Sequence, residues 1–170
     1  MEDPIINRVE ASGLIQLELK EWIPMPNTTA CDLAAHLVDG LILMERAFRK
    51  DLKAWSKDQF SGKHVALHCS VDAILPDWAW MLAASRIVEL CGIPSVGTLE
   101  QVNERLLLTA VERASIDAFA GQRVMVRGCA SVGGPAVLAA VVNRLQPVVQ
   151  SLMFGEACSS VPVYKKPRNS

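Results

Sequence analysis

The sequence predicts an α/β fold, a three-layer sandwich built on a mainly parallel sheet with helical crossovers. Three observations predict it. From residue 60 onward, short apolar runs alternate strictly with helical segments. Two of those helices open on proline, Pro76 and Pro135, and glycines stand at the ends of elements. Earlier, "LIQLELK" puts Ile15, Leu17 and Leu19 on one face and Gln16, Glu18 and Lys20 on the other, the pattern of a half-buried strand.

Taken in order, Asp3-Pro4 is a helix start and Gly13 its stop, ahead of that first strand. The loop "IPMPNTT" supplies Asn27, Thr28 or Thr29 as a cap for a helix over 30–54, hinged at Asp39-Gly40. Its second half, "MERAFRKDLKAW", is amphipathic. Strands are expected at 65–69, 93–97, 123–128 and 151–155, all in one sheet, and helices at 76–91, 99–115 and 135–146. The 170 residues suit a single domain. It is read as a helix-strand-helix part (1–55), an alternating part (60–158) and an extended tail (159–170). An internal echo joins "DQFSGKHVALHC" (58–69) to "DAFAGQRVMVRGC" (117–129), which implies equivalent parts for the two strands that follow.

Composition narrows the function. Half the residues are apolar (51%), 21% are charged, and the formal net charge is −1, as in a soluble globular protein. The one basic cluster, "YKKPR" at 164–168, is too short for nucleic-acid binding by counterion release. The acidic N-terminus lacks a signal-peptide pattern, and the longest apolar stretches contain Gly and Pro and fall short of a membrane span. A cytoplasmic protein is therefore expected, its five cysteines reduced and available for metal binding or chemistry.

Cys69, Cys129 and Cys158 each stand at or just after the carboxyl end of an expected strand, where parallel sheets place their ligands. Each is followed closely by serine and valine: "HCSVD", "GCASVGG", "GEACSSVPVY". On one sheet the three thiols would share an edge and could hold zinc or an iron–sulfur cluster. His68 and Asp72 flank Cys69 as further candidate ligands or proton-transfer partners, although His68 could simply cover the strand end and Asp72 cap a helix near Ala73. Cys129, before a glycine-rich loop and a helix start, is the candidate nucleophile if the protein is an enzyme. Cys31 and Cys91, expected in helices, read as core residues. The sequence has no Cys-x-x-Cys, no phosphate-binding loop with its lysine, no His-Glu-x-x-His and no Gly-x-Ser-x-Gly.

The stretches "INRVEASGLIQLEL", "GLILMERAFRKDL", "GKHVALHCSVDAILPDWAWMLAA", "GCASVGGPAV" and "QPVVQSLMFGEACSSVPVYKKP" resemble the bacterial family called domain of unknown function 2480. The family's typical ending is closer to Gly-Glu-Pro-Cys-Ser-Thr-Val-Pro; Ala157 and Ser160 depart from it and leave Cys158 in place. His68 stands where the family more often has apolar or aromatic residues. The resemblance carries no established activity. Genes of the family tend to lie beside those for iron–sulfur cluster assembly, which implies an accessory role there and assembly proteins as partners. The competing readings are a cysteine-dependent transferase-type enzyme using Cys129 and a non-catalytic interaction module. Neither nucleic acid nor membrane is expected as a partner. Trp22, Trp78 and Trp80 lie in segments that could expose apolar surface for a homodimer, and burial accounts for them equally well.

Overall fold

The computed structural model describes residues 13–128, 133–156 and 159–167. Within them the chain runs β1 (Leu14–Leu17), α1 (Leu19–Trp22), β2 (Thr28–Asp32), α2 (Glu45–Ala54), α3 (Lys57–Phe60), β3 (His64–His68) and α4 (Asp77–Glu89). It continues through β4 (Ile93–Val96), α5 (Leu99–Arg113), β5 (Arg123–Arg127), α6 (Gly134–Leu145), β6 (Ser151–Glu156) and β7 (Ser159–Lys165). The expected class holds: a mixed α/β chain with parallel sheets and helices packed between the strands, in keeping with a three-layer α/β sandwich. The helix expected from Asp3 lies outside the described residues.

The single sheet does not hold. Strands β2-β3-β4 form one parallel sheet, and β1-β5-β6-β7 form another, parallel except for the antiparallel β6–β7 pair. Each βαβ segment, β3-α4-β4 and β5-α6-β6, satisfies its central strand with a different early strand as neighbour. Alternating patterns mark a strand without saying which strand it pairs with, so this partition was invisible in the sequence.

The chain divides into two compact units, Met1–Met25 with Leu106–Ser170, and Pro26–Arg105. In the first, Leu17 and Leu19 join Val124 and Val126 of β5, Leu152 of β6 and Val137, Val141 and Leu145 of α6 in one core. In the second, Cys31 and Leu33 join Val65 and Leu67 of β3, Phe48 and Leu52 of α2, and Ala79, Ala83 and Ile87 of α4. The three buried positions on α4 and on α6 recur every four residues, the stripe that one helix face presents to a sheet.

Two segments differ from the sequence expectation. Residues 30–38 were expected as helix, but Thr28–Asp32 pairs parallel with His64–His68, and a 3-10 turn, Leu33–His36, follows. The Asp32 side chain accepts from the Ala34 amide at 2.9 Å and caps that turn. The helix-forming alanines and leucines lose here to sheet pairing and core burial, because Cys31 and Leu33 point into the core as alternating strand positions do. Beyond the turn, Asp39 and Gly40 take φ of 50° and 70° in a tight reversal closed by the Val38–Ile42 bridge. Residues 159–165, expected as tail, are an edge strand that tolerates Pro162.

Candidate functional site

The carboxyl ends of β1, β5 and β6 converge on one guanidinium. Arg127, last residue of β5, donates from Nε and Nη2 to Glu156 Oε2 at 3.1 and 2.7 Å. Its Nη1 lies 3.3 Å from Glu18 Oε1, just past β1. Lys20 Nζ reaches Glu18 Oε2 at 3.3 Å. All three members of the Arg127 cluster are half-buried, where charge-assisted hydrogen bonds are stronger than at an open surface. The cluster ties three adjacent strand ends together. Arg127 and Glu156 each stand two residues before a cysteine, Cys129 and Cys158.

A smaller cluster stands at the same end of the other sheet. Asp32 Oδ1 accepts from the amides of Ala34 and Ser70, at 2.9 and 3.0 Å, and Oδ2 lies 4.0 Å from His68 Nε2. Burial pushes the Asp32 carboxyl up. The Ser70 hydroxyl, the two amides and the charge of His68 outweigh that and hold its pKa below the usual carboxylate value. Next to it, burial, and secondarily the Asp32 charge, raises the Cys31 thiol to about 11.

The expected site residues fall as follows. Cys69 follows β3 and packs partly against the core of the 26–105 unit; its thiol donates to the Val71 carbonyl at 3.4 Å. Cys129 and Cys158 lie outside the described residues. Because β3 and β5 belong to different sheets, the argument that one sheet edge gathers all three thiols falls. His68 is engaged by Asp32 and by the Ala66 carbonyl, 3.4 Å from Nδ1. Asp72 is exposed and caps no helix near Ala73, since α4 starts at Asp77. Among the described residues, no group of three or more His, Cys, Asp or Glu side chains is arranged to hold a metal ion. Cys31 is buried as expected of a core residue, but on a strand; Cys91 is exposed just past α4, with φ of 63°, and is not a core residue. Trp22, Trp78 and Trp80 are half-buried, each packed against the core of its own unit.

Sequence reasoning missed Glu18, Asp32, Arg127 and Glu156. The available signal was a charged residue closing each of four apolar runs at the carboxyl end. An apolar groove of about 370 Å³ between α6 and strands β6 and β7 is lined only by apolar side chains, so none can orient a polar ligand. No helix among the described residues is long and apolar enough to cross a membrane.

A scan against protein families matches residues 3–166 to the family described as "Protein of unknown function (DUF2480)". The chain belongs to this family. Neither the curated proteins nor the solved structures contain a match. The family therefore confirms the resemblance read from the sequence and brings no reaction or ligand with it.

Proposed function

We propose that the protein is an accessory factor of iron–sulfur or metal metabolism that binds a metal ion or cluster through thiols, with Cys129 and Cys158 as the central pair. The observation that carries this reading is the Arg127–Glu156 tie at 2.7 Å, which holds the ends of two adjacent strands two residues before each cysteine. Two residues of chain span at most about 7 Å, so the segments that lead to the two cysteines leave from neighbouring points. The carboxylates of Glu18 and Glu156 are already paired, with Lys20 and Arg127, which favours sulfur as the donor. Thiolates suit zinc and iron–sulfur clusters, and two or three of them leave positions open for exchange. Cys69 enters as a third ligand only if its own sheet brings it there, which the common edge no longer argues.

The test is metal loading of protein purified without air, with zinc and with iron and sulfide in separate reconstitutions, read by metal analysis and absorption. Stoichiometric binding is expected, weakened more than about tenfold in Cys129→Ser or Cys158→Ser, since even removing a supporting partner of a ligand costs that much. Cys31→Ala and Cys91→Ala should load like the parent. Equal loss in Cys69→Ser would restore the three-thiol site. A wild-type chain that takes up neither zinc nor iron in stoichiometric amount would sink the proposal.

A further inference from the structure

The echo between residues 58–69 and 117–129 extends far beyond the motif. Phe60 and Phe119 are both buried, each at the end of a short helical turn, and Gly62 and Gly121 both take φ of 70°. The Gly62 amide donates to the Cys91 carbonyl at 2.9 Å, and the Gly121 amide to that of Val148 at 2.7 Å. In each unit the following strand is flanked by an early strand and by the strand after the crossover, in the same register. His64 pairs with Thr28 and Ile93, and Arg123 with Leu14 and Ser151. Four pairs on, the third strands reach Gly97 and Gly155, with φ of 136° and 132°.

The packing corresponds too. Phe48 and Leu52 stand twelve and eight residues before Phe60, as Leu107 and Val111 do before Phe119, and all four are buried. Ala79, Ala83 and Ile87 of α4 answer to Val137, Val141 and Leu145 of α6. Beside the last of each trio, Arg86 Nη2 donates to the Trp55 carbonyl at 3.1 Å and Arg144 Nη2 to that of Ala114 at 3.0 Å. Trp55 and Ala114 both lie five residues before their phenylalanine.

We infer that the chain is an internal duplication of one α/β unit, and that the acid–base tie between its first and central strands is a repeated positioning device. The tie is Glu18–Arg127 in one copy and Asp32–His68 in the other, at corresponding register positions. Each tie holds the strand end from which the chain leaves toward a cysteine, Cys129 or Cys69. The Arg127 tie is the closer, at 3.3 Å, and the His68 tie the longer, at 4.0 Å. Cutting either tie should loosen the strand end that it holds.

The test is hydrogen exchange in the full-length, metal-free chain at one fixed pH, with each tie cut in turn. His68→Gln should lower protection of the Ser70 amide, which donates to Asp32 at 3.0 Å. Arg127→Gln should lower that of the Leu17 and Val126 amides at the corresponding strand ends. Each loss should be about two- to five-fold, the range of a partly exposed ion pair. Unchanged protection in both variants would overturn the positioning device. A loss in one variant and none in the other would overturn the equivalence of the two ties.

Discussion

Asp32 does the work of several residues at once. Its carboxylate caps the 3-10 turn, accepts from Ser70 and faces His68. Asparagine keeps an oxygen that accepts from both amides and removes only the charge, so Asp32→Asn should cost about 0.2–1 kcal/mol at pH 7, the range of a partly exposed ion pair. Its folded pKa lies below its ordinary value. The stabilisation of the charged form is therefore present above the unfolded pKa, about 3.9, and is lost as pH falls through the lower folded value. Denaturant titrations of wild type and Asp32→Asn should accordingly converge on acidification. A gap that stays constant from pH 7 to pH 3 would show that the charge contributes nothing. Cys31 titrates in the opposite sense: with its thiol raised to about 11, folding keeps the neutral form. The stability of that burial is intact below the unfolded thiol pKa and declines as pH climbs toward the folded value.

At the scale of elements, the turn into each central strand is the most repeated piece of local structure. Gly62 and Gly121 sit at φ of 70° with open space where a Cβ would stand, so alanine there would clash with nothing and only strain the backbone. Gly62→Ala and Gly121→Ala should each cost about 1–2 kcal/mol, and asparagine should recover part of it. Markedly different costs, read by chemical denaturation, would mean that the two turns are not equivalent. The edge strand β7 shows the limits of such local reading. Residues 159–170 were expected as a tail, while pairing with β6, interrupted between Leu152 and Met153, makes a strand of 159–165.

For the whole molecule, the informative feature is that two separate cores repeat one design. Ile87 and Leu145 occupy corresponding helix positions, each fully buried, in clusters that share no residue. Truncation of either to alanine should cost about 2–5 kcal/mol. The double variant should lose the sum to within about 0.5 kcal/mol, as sites without shared partners do. A large interaction energy in this cycle would show that the cores are coupled. The copies diverge after the third strand: Glu156 leads into β7, whereas Thr98 caps α5 through reciprocal hydrogen bonds with Gln101. The Glu156 tie to Arg127 falls at that divergence, in the unit whose sequence carries Cys129 and Cys158.

By itself the sequence determined the α/β class, the positions of β3 to β6, the helices between them and the twin turns, because period, proline and glycine are local signals that survive without tertiary context. It also carried the family membership and the placement of Cys69 past a strand end. The tertiary structure alone decided that Thr28–Asp32 is a strand, that β3 and β5 belong to different sheets, and that Arg127 gathers Glu18 and Glu156. Those facts rest on long-range pairing: β2 is a strand because β3 is beside it, and a guanidinium selects its carboxylates only once three strand ends, at residues 18, 127 and 156, have been brought together.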